Sequence, residues 1–122
     1  MAKNSLQDGK VLTWTNGTGS SKASGAVVVV GKILGICLDT IANAASGQVQ
    51  IEGVFQVPKV SGAVIAQGEN LTWDASAAAF DDNAATPATG DVTGPPCIAF
   101  EAAGNGVTSM RVKFTGVPGT VT

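Results

Sequence analysis

The chain has no histidine and no tyrosine, and only 13% of its 122 residues are charged. Without histidine, the commonest general base and metal ligand is missing. Its two cysteines, Cys37 and Cys97, cannot make a zinc site of the usual type alone. The scarcity of charge and a net charge of −2 do not give the basic footprint of a nucleic-acid binder. A hydrophobic content of 44% excludes a disordered chain. No apolar core opens "MAKNSLQDGK" as a secretion signal would. Folding in a reducing cytoplasm follows as the expectation, with both cysteines free and buried.

Long apolar runs are also missing, although "SGAVVVVGKILG" (24–35) invites two such readings. As a phosphate-binding loop it fails on spacing. Five residues, Ala26 to Val30, separate the glycines where four are needed, and Ile33 follows Lys32 where a hydroxyl is needed. As a membrane span it fails on length, because Ser24, several glycines and lysines, and Asp39 interrupt it, whereas a spanning helix needs about 20 apolar residues. Two short strands remain, Ala26–Val30 and Ile33–Leu38, joined by Gly31-Lys32.

What is present is a series of short strands separated by turn signals. "KVLTWT" (10–15) ends at the turn "NGTGSS". "QVQIEGVFQV" (48–57) reads as one half-buried strand, with Val49, Ile51, Phe55 and Val57 on one parity and Gln48, Gln50, Glu52 and Gln56 on the other. Gly53 marks a bulge or close approach within it. "LTWD" (71–74), "PPCIAFEAA" (95–103) and "VTSMRVKF" (107–114) complete the main set, the last following the hairpin signal Asn105-Gly106. Residues 75–91 read as a hairpin and then a loop, and the tail "TGVPGTVT" as loose. The expected fold is all-β, a compact sandwich or small barrel over residues 10–122, preceded by a flexible N-terminal arm over 1–9.

Few residues carry chemistry. Asp81-Asp82 is the one adjacent acid pair; neighbours on a strand diverge, and on a loop they hold turns. Asp74 reads as a turn cap, and Arg111 with Lys113 as a solvated strand face. Trp14 and Trp73 are core or interface residues, or, in the alternative reading, a sugar-stacking platform of a phage or cell-surface glycan-binding module. An enzyme using carboxylates alone would need acids that converge. The composition favours a structural protein with no cofactor and no metal.

The order of short motifs is similar to that of the small tailed-phage capsid cement, or head decoration, proteins. Gln7-Asp8-Gly9, Ser24-Gly25, Val28 to Gly31, Gly35-Ile36, Gly53 to Lys59, Ser61-Gly62 and Gly68 to Asp74 carry the resemblance over nearly the whole chain. After Asp74 the segment "FDDNAATPATGDVTGPPCIAF" is longer than in similar sequences. The resemblance implies a virion protein on the outer surface of the expanded head, made in the host cytoplasm and bridging neighbouring major capsid subunits. It implies self-association, with a homotrimer favoured and a dimer possible, and neither nucleic acid nor membrane as partner. The arm, Ala2, Lys3, Asn4, Ser5, Leu6, Gln7, Asp8 and Gly9, is then expected to add a strand to a capsid sheet edge. Trp14, Phe55 and Trp73 are the expected interface anchors, and Lys3, Lys10, Lys22 and Lys32 gather positive charge that could face acidic capsid patches.

Overall fold

Gly31-Lys32 is a two-residue hairpin turn. Gly31 has a φ of 62°, and the turn joins β2 (Val27–Val30) to β3 (Ile33–Cys37) with Val30 opposite Ile33. Positive φ at the first turn position only is the signature of a turn whose twist matches the flanking strands. The computed structural model that shows this describes residues 9–122. Of the expected arm, only Gly9 falls within them; Ala2 to Asp8 lie outside the described residues.

No helix occurs among the described residues, so none is long and apolar enough to cross a membrane. The other strands are β1 (Val11–Thr15), β4 (Ser46–Gln50), β5 (Glu52–Pro58), β6 (Thr72–Asp74), β7 (Ala79–Asp81), β8 (Val92–Thr93), β9 (Cys97–Ala99), β10 (Ser109–Thr115) and β11 (Thr120–Val121). They form three antiparallel sheets, ordered β1-β4-β3-β2, β5-β10-β9 and β11-β8-β6-β7. None closes on itself. The fold is all-β, and of the two expected architectures the sandwich holds and the barrel does not.

The expected strand 48–57 is two strands in two sheets. β4 ends at Gln50 in the first sheet and β5 starts at Glu52 in the second. Gly53, at φ 135°, takes a backbone conformation closed to other residues, and the Gln50 side chain donates to the Glu52 carbonyl at 2.7 Å across the corner. The Ile51 amide meanwhile donates to the Lys10 carbonyl at 2.8 Å. Apolar parity runs unbroken through this corner because Val49 enters a small core and Val57 a larger one.

The larger core lies between the sheets. Met110, Val112 and Phe114 of β10 are buried while Ser109, Arg111 and Lys113 are exposed, as the alternation predicts. A chain of rings links the sheets: Trp73 to Phe80 at 5.0 Å, Phe80 to Phe114 at 6.0 Å and Phe114 to Phe55 at 5.7 Å, the last two edge to face. The smaller core lies on the other face of the first sheet, where Val28, Cys37 and Val49 are buried beneath Ile41. Gly47 is required there, since a Cβ would stand 2.5 Å from Ile41 Cγ1. Cys37 and Cys97 are free and buried.

The tail is ordered rather than loose. β11 pairs with β8, the Thr122 amide donates to the Asp91 carbonyl at 2.9 Å, and the Gly90 amide donates to the Thr122 carbonyl at 2.8 Å. These are main-chain bonds, and Thr120 and Val121 stay exposed, so no side-chain pattern announces the strand.

Candidate functional site

The buried polar residues hold loops. Lys59 is only 3% exposed, yet its ammonium meets carbonyls and no carboxylate. Nζ donates to Val60 O at 2.8 Å, Gly104 O at 3.0 Å and Val107 O at 3.1 Å, with Ser61 O farther off at 3.5 Å. An ammonium has three donors, and three close carbonyls use them. Lys59 thereby ties the end of β5 to the 104–107 turn, which also sends the Gly106 amide to Ser61 O at 2.6 Å.

Asn16, fully buried, does the same for the β1–β2 connection. Its amide donates to Ser20 O at 2.8 Å and Ile41 O at 2.9 Å, and its oxygen accepts from Thr18 N and Thr18 Oγ1. Asp91 accepts from Ala75 N at 3.0 Å and Ala88 N at 2.9 Å. Among the described residues, no buried side-chain nitrogen or oxygen lacks a partner. Only Asn16 has a local signal, its place at the head of "NGTGSS". Lys59 reads as an ordinary charge after a strand, and Asp91 as one more acid in a polar loop.

The other acids also hold turns. Asp74 Oδ1 accepts from Ser76 Oγ at 2.8 Å and from the amides of Ser76 and Ala77, both at 3.1 Å. These bonds, the Ser76 hydroxyl foremost, lower the pKa of its carboxyl. Asp81 accepts from the Asp82 amide and Asp82 from the Ala84 amide, each at 2.8 Å. No group of three or more metal-ligating side chains occurs among the described residues. Burial raises the pKa of the Cys97 thiol well above its usual value. Burial also raises that of Cys37, against a smaller opposing pull from Lys22.

The three expected anchors do not share a surface. Trp14 is half-buried against the smaller core, Phe55 packs on Phe114 in the larger one, and Trp73 is 5% exposed beneath Phe80. Trp14 and Trp73 belong to different clusters and form no common platform.

One face of the second sheet is open to solvent. Across it, Val54 lies beside Lys113 and Lys113 beside Ile98, while Arg111 lies beside Gln56. The Phe100 amide, just past β9, donates to the Arg111 carbonyl at 3.1 Å. Val54 is 43% exposed and Phe100 48%, on either side of the two cations. Such a face offers apolar area around a charged centre.

An all-β body whose interior polar groups fasten loops, with an open sheet face outside, defines a structural module. The family comparison is specific: a family model described as phage cement protein matches residues 6–114. The chain belongs to the phage cement protein family. It is a structural protein that associates with the phage capsid and stabilises it. A search of curated proteins finds no match.

Proposed function

We propose that the chain binds the outside of the expanded head and bridges adjacent major capsid subunits. The observation that carries this reading is the exposed second-sheet face, where Val54, Ile98 and Phe100 surround Arg111 and Lys113. An apolar patch with a cationic centre suits a protein surface with complementary acids; the cations set register and the apolar area supplies affinity. Lys10, Lys22 and Lys32 lie elsewhere on the body and add contacts of the same sign. Half-buried Trp14 is a further anchor. A net charge of −2 disfavours the packaged genome as a partner.

In this reading, made in the host cytoplasm, the body of residues 10–122 assembles with copies of itself, and the arm Ala2–Gly9 pairs with a sheet edge in the finished shell. Two kinds of edge can take it: one on the major capsid subunit, as the sequence suggests, and one on a neighbouring copy. Self-association would join weak single contacts into lasting attachment, since linked sites see effective concentrations of about millimolar.

Cosedimentation with empty expanded and unexpanded heads tests the proposal. Saturable binding to expanded heads, weakened at least tenfold by Arg111→Glu together with Lys113→Glu, is the expected result. Equal recovery with both kinds of head, or full binding by the doubly substituted protein, would refute it.

A further inference from the structure

The chain contains two Asn-Gly dipeptides, Asn16-Gly17 and Asn105-Gly106. Such a pair is chemically fragile, because glycine has no Cβ to keep its amide nitrogen away from the preceding side-chain carbonyl. The fold treats the two in opposite ways.

Asn16 is sealed. It is fully buried, its Nδ2 donates to Ser20 O and Ile41 O, and its Oδ1 accepts from Thr18 N at 3.0 Å and Thr18 Oγ1 at 2.7 Å. Ammonia cannot leave, nor water enter, without breaking those bonds. Asn105 is exposed in a turn, and among the described residues its side-chain amide has no hydrogen-bond partner. The other described asparagines, Asn43, Asn70 and Asn83, precede alanine or leucine, whose side chains obstruct the same approach.

The turn is held by a small number of bonds. The Gly106 amide donates to Ser61 O at 2.6 Å, and the Val107 amide to Gly104 O at 3.2 Å. A φ of 89° falls on Gly106 while Asn105 keeps a negative one, the pattern of a type II turn. Lys59 Nζ grips both ends, at Gly104 O (3.0 Å) and Val107 O (3.1 Å). The nitrogen that would attack Asn105 is therefore pinned to Ser61 by a clamp that depends on Lys59.

We propose that Asn105 is a site of spontaneous deamidation and that the Lys59 clamp sets its rate. When the turn opens, Gly106 N gives up its proton and bonds to Asn105 Cγ. The Cγ–Nδ2 bond breaks, and ammonia leaves with that proton, so a succinimide ring remains. Water adds to either ring carbonyl. Opening one way gives aspartate at 105; opening the other way gives an isoaspartyl link, with the β-carbon of residue 105 now in the main chain. The net change is amide plus water to carboxylate plus ammonium, with no oxidant or cofactor. The isoaspartyl link lengthens the chain where Gly106 has to meet Ser61 O, so the clamp does not reclose as before. Conversion is a one-way loosening of the 104–107 turn.

Ageing the full chain in mildly alkaline buffer, with peptide mapping and isoaspartate labelling, tests this. In the folded parent Asn105 converts while Asn16 stays intact; in urea the two convert at similar rates. Lys59→Met speeds conversion at Asn105 by about fivefold or more, because weakening the clamp raises the open population of the turn. In the parent, conversion at Asn105 also tracks hydrogen exchange of the Gly106 amide across temperatures below Tm, a measurement that holds even where the variant does not fold. Three results would overturn the proposal: Asn16 keeping pace with Asn105 in the folded parent, no conversion at Asn105 before unfolding, or a conversion rate indifferent both to Lys59→Met and to Gly106 exchange.

Discussion

Replacing Lys59 with methionine keeps the length of the buried side chain and deletes its charge. Three carbonyls, at 2.8, 3.0 and 3.1 Å, then lose the ammonium as a donor. A hydrogen bond to a charged group contributes about 1.5–3 kcal/mol. Burying an ammonium costs several kcal/mol, so most of the gross gain from three bonds is already offset in the native protein. The net loss is set by any carbonyl left unpaired, at about 1–3 kcal/mol for each that water cannot reach. Val60 O keeps its bond from the Ala63 amide at 3.1 Å, Gly104 O keeps its bond from the Val107 amide at 3.2 Å, and Val107 is exposed, so its carbonyl can recruit water. With no carbonyl stranded outright, the loss comes from the loosened 104–107 turn and is about 1–2 kcal/mol. For a domain of this size that lowers Tm by about 5 °C. Urea unfolding supplies the free energy, and amide exchange at Gly106, which donates to Ser61 O in the same clamp, supplies the locality. A Lys59→Met protein within 0.5 kcal/mol of the parent (roughly the scale of ordinary surface substitutions), with the Gly106 amide equally protected, would refute this account of the clamp.

Three further outcomes follow from local geometry. Gly35→Ala drives a Cβ into Val49 Cγ1 and against the Gln50 carbonyl, so it lowers stability by about 1–3 kcal/mol in urea, and an unchanged midpoint would contradict the packing. Ala44 sits at φ 68° on an exposed loop, so Ala44→Gly relieves left-handed strain and raises stability by about 0.5–1 kcal/mol; a loss would count against it. The Cys97 thiol, with its pKa raised by burial, stays neutral when folded while the unfolded thiol ionises near pH 8.5. Its contribution is therefore fully present below that pH and declines above it. Stability should fall between pH 8 and about 10 more steeply in the parent than in Cys97→Ala, and folded protein should resist alkylation at pH 8. Rapid labelling without unfolding would contradict the burial.

Strands defined by their own side chains were legible in the sequence. The alternation of β10 foretold which of its residues are buried, and Gly31-Lys32 separated two valine- and isoleucine-rich strands at the correct place. Features made by the main chain or by distant partners were not. The corner at Ile51 escapes a parity argument because both cores want apolar residues on the same parity. β11 is recruited through backbone bonds to Asp91 and Gly90. Lys59 looks like a surface charge until the 104–107 turn arrives from 45 residues away. Trp73, read from the sequence as core or interface, is buried and packs on Phe80 at 5.0 Å, a partner that no local pattern identifies.

Adhesion that strengthens the shell is the central claim, and DNA release from filled heads measures it directly. Virions lacking this protein should release their genome at a lower temperature or after milder osmotic shock, and adding the purified full chain should restore the original threshold. Identical release curves with and without the protein, at full occupancy of the heads, would contradict the account.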